Sequence, residues 1–373
     1  MNGYGLERFV YVIGARPNFV KMAPVIAEMR RRLPDARHVL VHTGQHYDPL
    51  MSEVFLTELG VPDPDYLLGV GSGSQAAQTA RIMERIEPVL EEEAPDLVVV
   101  PGVVNSTVGA ALVAAKLGIR IAHVESGLRS YDRTMPEEIN RFVTDGLSDL
   151  LFVHCDEAVE NLTREGIAGD HVCFVGNTMI DSLVAMKPRF GELDAWRRYG
   201  LRARDYVLVT LHRPALVDGP LLADTIVQLG EVARHVPVLF PAHPRTHKAM
   251  VGFTVPAGLH VVEPLGYLEF LSLEHGAAGV LTDSGGVQEE TTFLGVPCFT
   301  LRDNTERAVT ITHGTNVLLG LAPERIGDLL PQLESRGVSP GKPPPLWDGQ
   351  AAGRIGRAIE RTTHFKLEEV GVR

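Results

Sequence analysis

Short apolar runs alternate with longer amphipathic segments along most of the chain. Residues 8–13, 38–42, 96–100, 119–124, 150–153 and 172–175 have the length and apolar content of buried strands. Residues 18–32, 75–93, 106–117, 136–147 and 156–165, between them, carry helix-length patterns. Such alternation predicts βαβ crossovers and a parallel sheet. The pattern fades over 187–204, a charged stretch read as the crossing between two domains. It restarts with strands predicted at 206–211, 238–240, 259–262, 279–281, 298–300 and 316–318, and helices at 221–235, 268–275 and 286–294. The fold class expected is α/β, with two doubly wound Rossmann-like domains facing a cleft, one over 1–186 and one over 187–350. Residues 335–349 are rich in Pro and Gly and read as a loop. A last helix over 351–364 is expected to complete the first domain.

The length of 373 residues suits two cores of this kind rather than one. Hydrophobic residues make up 45% and charged residues 22%, an ordinary globular balance. The formal net charge of -12 makes nucleic acid and anionic membranes poor partners, while a small anionic ligand in a cleft stays compatible with it. Three cysteines, Cys155, Cys173 and Cys298, lie far apart beside apolar runs. They form no metal or redox spacing and read as buried thiols in a reducing cytoplasm. The first apolar run, Phe9 to Ile13, stops at Gly14 and is too short for a signal peptide or a membrane span.

The polar clusters follow the strands. Gly14-Ala15-Arg16-Pro17, Thr43-Gly44-Gln45-His46, Gly102–Thr107, His123–Gly127, Leu211-His212-Arg213, Ala242-His243-Pro244-Arg245 and Thr282–Gly286 each stand at a predicted strand end. Ligands of open α/β sheets bind beyond the carboxyl ends of the strands. Turns and caps alone do not call for seven such clusters.

Asp283-Ser284-Gly285-Gly286 is the sharpest of them. Paired glycines let a backbone come close, and free amides at a helix start favour a phosphate. A plain capping box built on Ser284 is the bland alternative. Glu290, one turn further, could take a ribose diol or simply complement the helix dipole in solvent. Arg16 and Lys21 sit near the start of the first helix, where cations oppose the dipole, so they are either anion ligands or surface charges. Glu125 at an apolar strand end is placed for acid–base work or for an ion pair with Arg129 or Arg133. Glu137 and Glu138 open a helix, where acidic residues are usual. His212 with Arg213 could hold a diphosphate.

In order along the chain, GARPNFVKMAP (14–24), TGQH (43–46), HVESGLR (123–129), MPEEINR (135–141), TLHR (210–213), DSGGVQEE (283–290) and LRDNTER (301–307) resemble the non-hydrolysing UDP-N-acetylglucosamine 2-epimerases. The resemblance implies a glycosyltransferase-B-like fold and inversion at C2 of a UDP-amino sugar. UDP is eliminated to leave a glycal and is added back, with the proton delivered to the opposite face. It implies no metal and no redox cofactor, a UDP-sugar as partner, and a homodimer. By position, Arg16, Lys21, Glu125, Glu137 and His212 match the family's active site. His243, Arg245, Ser284, Gly285, Gly286, Glu290 and Arg307 match its UDP-binding side. Gln45, His46 and Glu138 look similar to positions near a regulatory substrate site.

Three departures accompany the match. Val103 follows Gly102 where the family usually has an active-site Asp; Pro214-Ala215-Leu216 replaces Arg-Glu-Asn; and Ala308-Val309 stands where Pro-Glu is usual. Each puts a plain apolar residue where a polar or rigid one is expected. The competing expectation is therefore a UDP-sugar-binding homologue with lost or altered epimerase activity. A glycosyltransferase on the same fold is a third class, without support in the epimerase-specific segments.

Overall fold

The computed structural model describes residues 7–45, 57–335 and 342–369, excepting the side chains of Arg16, Ser335 and residues 363–369. The chain divides into two compact units, Met1–Val184 with Pro345–Arg373 and Ala185–Pro344.

In the first unit, β1 (Arg8–Ile13), α1 (Arg16–Arg32), β2 (Arg37–His42) and the two-residue β3 (Tyr66–Leu67) come first. There follow α2 (Gln75–Glu93), β4 (Leu97–Pro101), α3 (Asn105–Lys116), β5 (Arg120–Val124) and α4 (Pro136–Leu147), then β6 (Leu150–Val153), α5 (Asp156–Arg164) and β7 (Val172–Phe174), and α6 (Thr178–Gly191) carries the chain from the first unit into the second. The strands form one sheet in the order β3-β2-β1-β4-β5-β6-β7, every neighbouring pair parallel. Both faces of such a sheet are covered, so its strands read as continuous apolar runs, and β4 (LVVVP) is buried at every position. Val10, Val12, Val39, Val98 and Ile121 of the sheet pack with Ile86 of α2 and Ala110 of α3.

The second unit contains β8 (Val207–Thr210), α7 (Pro214–Val217), α8 (Leu221–Ala233), β9 (Val238–Pro241), α9 (Pro244–Ala249) and β10 (Leu259–Val262). It continues with α10 (Tyr267–Gly276), β11 (Gly279–Thr282), α11 (Gly285–Leu294), β12 (Cys298–Thr300), α12 (Val309–Thr312), β13 (Asn316–Leu318) and α13 (Leu329–Ser335). Its sheet is also parallel, in the order β10-β9-β8-β11-β12-β13. The chain then returns to the first unit as α14 (Ala351–Glu369). There Arg32 and Glu360 pair at 2.8 Å, and both oxygens of Asp181 accept the first amides of α14, Ala351 and Ala352, at 3.0 and 2.7 Å.

Some elements differ from the sequence expectation. β3 is too short to show alternation. α6 runs into the charged stretch 187–204, its pattern broken by an internal Pro188. A 3-10 turn, Ala195–Tyr199, follows it. α7, α9 and α12, four to six residues each, are shorter than any periodicity can reveal. The helix beyond Asp283 begins at Gly285, with Ser284 as its cap.

In each sheet the strand order reverses once, between β1 and β4 in the first and between β8 and β11 in the second. A crevice opens beyond the strand ends at such a point. The loops leaving those four strands are Gly14-Ala15, Gly102–Val104, Leu211–Arg213 and Asp283-Ser284.

Candidate functional site

At the first switch point the turn after β1 is tied down by Asn18, whose Oδ1 accepts the amides of Gly14 and Ala15 at 3.1 Å each. One turn into α1, Lys21 is buried, and its Nζ lies 2.6 Å from Glu125 Oε2. Glu125 directly follows β5 and has a φ of +69°, in the left-handed region that a side-chain-bearing residue rarely adopts. Gly102, after β4, also has a positive φ (+61°), and a Cβ there would lie 3.1 Å from Lys21 Nζ. The ion pair thus sits at the ends of three neighbouring strands. Both alternatives drawn from the sequence are corrected here. Lys21 is no surface charge, and it is Lys21 that pairs with Glu125. Arg129 instead bonds Asp145 at 2.7 Å and Glu165 at 2.6 Å. Arg16 opens α1, and its side chain lies outside the described residues.

α4 buries a polar face: Glu138, Asn140, Arg141, Thr144 and Asp145 point inward while Ile139 is exposed. This inverts the usual amphipathic order and marks a polar interior. Asp145 takes His123 Nδ1 at 2.6 Å and the Gly127 amide at 3.1 Å in addition to Arg129. Burial pushes its carboxyl up, but His123 and Arg129 outweigh that and hold it below the ordinary range. His123 Nε2 reaches the Gly102 carbonyl at 2.7 Å, bracing the glycine turn beside Lys21. Glu138 accepts the Tyr131 amide at 2.8 Å, the Ser130 hydroxyl at 2.9 Å and Arg141 Nη1 at 2.5 Å. Its oxygens are committed to shaping the segment ahead of α4.

Beside these groups a pocket of about 160 Å³ is lined by Gln45, Gln75, Gln78, Val103, Asn105, Glu137 and Asn140. Glu137 is exposed at its rim. The amides hold one another: Asn105 Nδ2 donates to Gln75 Oε1 at 2.6 Å and to Gln78 Oε1 at 2.8 Å, and Asn140 Nδ2 donates to the Val103 carbonyl at 2.9 Å. Gln45 is buried, its Oε1 accepting the amide and hydroxyl of Ser106 at 3.0 and 2.8 Å. His46 lies outside the described residues.

At the second switch point Asp283 binds the end of β8 to the end of β11. Its Oδ2 accepts the amides of His212 and Arg213 at 2.8 and 2.7 Å, and its Oδ1 lies 2.8 Å from His212 Nδ1. Burial raises this carboxyl, and the His212 ring and the two amides lower it further still, so it ends below the ordinary range. Ser284 caps α11 by position, yet its hydroxyl makes no bond to the first-turn amides. The capping box that would explain the motif blandly is therefore absent, and the side chain leaves those amides to other acceptors. Gly285 leaves room for Arg307: a Cβ there would stand 2.4 Å from its Nη1. Arg307 also meets Glu289 at 3.1 Å, together with Glu306. Gly286 follows in the first turn of the helix.

Glu290 is 3% exposed, so a solvated helix glutamate is excluded. Tyr267 donates its hydroxyl to Glu290 Oε1 at 2.6 Å, and burial pushes the carboxyl up to about 7. His243 caps α9 with Nδ1 accepting the Arg245 amide at 3.2 Å, and its ring centroid lies 6.3 Å from that of His212. Arg245 pairs with Asp218 at 2.9 Å.

Cys155 and Cys298 are buried, the latter pushed up to about 12 by burial, while Cys173 is only half-buried, contrary to expectation. Among the described residues no group of three His, Cys, Asp or Glu could hold a metal ion, and no helix is long and apolar enough to cross a membrane. Sequence reasoning passed over Asn18, Asp145, Tyr267 and Glu274. Only Glu274 left a local signal, as a carboxylate following Leu271-Ser272-Leu273 in a helix.

The family described as UDP-N-acetylglucosamine 2-epimerase matches residues 28–360. A UDP-N-acetylglucosamine 2-epimerase of Methanocaldococcus jannaschii is 42% identical over 327 residues, which covers 84% of this chain and 89% of that protein. The UDP-2,3-diacetamido-2,3-dideoxy-D-glucuronate 2-epimerase of Pseudomonas aeruginosa is 40% identical over 366 residues, covering 95% and 99%. The crystal structure of the M. jannaschii UDP-GlcNAc 2-epimerase in complex with UDP-GlcNAc and UDP is similar with a TM-score of 0.87 and 39% identity, over 94% of this chain and 99% of that one.

Proposed function

Since the chain belongs to the UDP-N-acetylglucosamine 2-epimerase family, with its glycosyltransferase-B-like pair of α/β domains, we propose how its own residues invert C2 of a UDP-amino sugar. The C2 proton is not acidic, so its removal must be coupled to loss of the anomeric diphosphate. The base takes the proton as the C1–O bond breaks, giving a glycal and UDP. Re-addition protonates C2 from the opposite face while a β-phosphate oxygen re-forms the bond to C1. A base is needed at C2 and positive charge on the leaving group.

One observation carries the reading: the first-turn amides of α11 are left free by Ser284 and stand beside the Arg307 guanidinium. An anion is what such a helix start accepts. The pyrophosphate is assigned there, with His212, His243 and Arg245 contributing charge or donors. Glu290 is assigned to the ribose hydroxyls. Lys21, Glu125, Glu137 and Arg16 are assigned to the sugar chemistry, with Glu125 or Glu137 as the base. Gln45, His46 and Glu138 are kept as candidates for a second, regulatory sugar contact. Homodimer formation and a cytoplasmic location rest on the family likeness, and light scattering tests the first.

Incubation with UDP-GlcNAc in heavy water tests the reaction. Deuterium at C2 of the recovered sugar is the expected result. The Pseudomonas relative named for a 2,3-diacetamido uronate makes that UDP-sugar the second substrate to try. Val103 in the pocket wall favours one alternative, a UDP-sugar-binding protein without turnover. Tight binding with no exchange on either sugar would establish that alternative.

A further inference from the structure

Behind the first turn of α11 the second unit buries two carboxyls whose pairing the reaction above leaves unexplained. Glu290 accepts the Tyr267 hydroxyl. Glu274, from α10, is 0% exposed, and neither of its carboxyl oxygens has a hydrogen-bond partner among the described residues. An ionised carboxylate enclosed without a donor bears the whole cost of leaving water. No cation faces it. The titratable groups in its reach are Tyr267 on its own helix, Glu290 on α11, Tyr206 just ahead of β8 and Cys298 on β12. Glu290 has Glu289 as a further acidic neighbour, and Glu289 is met by Arg307 at 3.1 Å. Two carboxyls in one dry site do not both ionise readily. Burial first, and the charge of Glu290 second, push Glu274 well above the carboxylate range, while Glu290 stops at about 7.

We propose that Glu274 and Glu290 form a buried carboxyl pair that keeps its last proton on Glu274 at neutral pH, so that UDP-sugar binding is linked to ionisation of Glu290 alone. The proposal rests on the assignment of Glu290 to the ribose hydroxyls. Glu274 is then a positioning residue: staying neutral, it lets its neighbour carry the single charge that a diol can bond. A ribose hydroxyl donates best to a carboxylate, so the ligand draws Glu290 into its ionised form and one proton leaves to solvent. Affinity is low when Glu290 is protonated, rises with pH through its range and levels above it.

Calorimetry with UDP-GlcNAc, whose pyrophosphate diester carries no titrating proton near neutrality, reads this directly. Between about pH 5.5 and about pH 7 the affinity should rise by up to about tenfold per pH unit, and the heat should depend on buffer in the sense of proton release. Glu274→Gln, a neutral isostere, should keep that acid limb in place. The infrared carbonyl band of a protonated carboxylic acid that persists at about pH 8.5 in the unliganded protein, above the range of Glu290, should vanish in this variant. Pairing is overturned by pH-independent affinity, by a marked shift of the acid limb in Glu274→Gln, or by absence of the acid band from the wild-type protein. If Glu274→Gln fails to fold, the wild-type band and the buffer dependence still decide. If UDP-GlcNAc binds at no pH, the ribose assignment fails instead, while the band still reports on the pair.

Discussion

Lys21 and Glu125 form a 2.6 Å ion pair with both side chains nearly enclosed, and Glu125 holds a left-handed backbone to reach it. Losing Lys21 takes a cation at 2.6 Å away from a buried carboxylate, a loss on the order of 3–5 kcal/mol. Lys21→Met should therefore unfold at markedly lower urea and show no C2 exchange. The double variant Lys21→Met/Glu125→Gln should regain most of the stability and none of the exchange. Urea titration and deuterium incorporation check the two halves separately. A double variant that exchanges at the wild-type rate would remove both residues from the chemistry.

Val103 shares its pocket with Glu137, Asn105 and Asn140, and its carbonyl accepts Asn140 Nδ2. A valine side chain neither moves a proton nor accepts a bond. Val103→Asp should raise C2 exchange by about a hundredfold or more if the missing carboxyl limits turnover. Single-turnover exchange in heavy water measures it. No rise would place the loss elsewhere in the pocket.

The repeating strand–helix pattern made both sheets legible, because fully buried parallel strands are apolar without interruption. The polar clusters at the strand ends mark the switch-point loops in the sequence itself. What stayed hidden was partner choice. Nothing local distinguishes Lys21 as a partner of Glu125 from Lys21 as a surface charge, since the contact joins residues 104 positions apart. Asp145 and Asp283 were invisible as organisers for the same reason. Their partners come from other strands and the loops that leave them: His123 and Arg129 for one, His212 for the other. α4 shows a different limit. Its spacing predicts a helix correctly, but the usual rule that the apolar side faces inward fails where the interior is polar.

Gly285 and Arg307 offer a cleaner test of the phosphate assignment. A methyl group at 285 would meet the guanidinium at 2.4 Å, so Gly285→Ala must displace the Arg307 tip. UDP affinity should fall about tenfold, and stability should hold because alanine suits a helix better than glycine. Arg307→Ala should lose at least as much. In combination the losses should not add, since both act through one guanidinium. Additive losses in calorimetry would mean that Gly285 matters for another reason.

Asp181 gives the fold a pH signature that is separate from the site. It holds the first two amides of α14 and is mostly buried, and burial pushes its carboxyl up to about 6 despite those two bonds. Its folded value lies above the unfolded one, so the native state binds this proton more tightly. Its contribution is then fully present below about pH 4 and is lost as pH rises through about 6. Asp145 and Asp283 are shifted the other way, and their stabilisation is lost as pH falls below the ordinary carboxylate range. The two effects occupy different windows and can be separated. Asp181→Asn keeps one acceptor for α14 and removes the titration. The stability of the variant relative to wild type should climb by about 2 kcal/mol between about pH 4 and about pH 7, then level off. Urea unfolding of both proteins across that range gives the difference curve. A flat curve would mean that solvent reaches Asp181 well enough to leave its proton unaffected by folding.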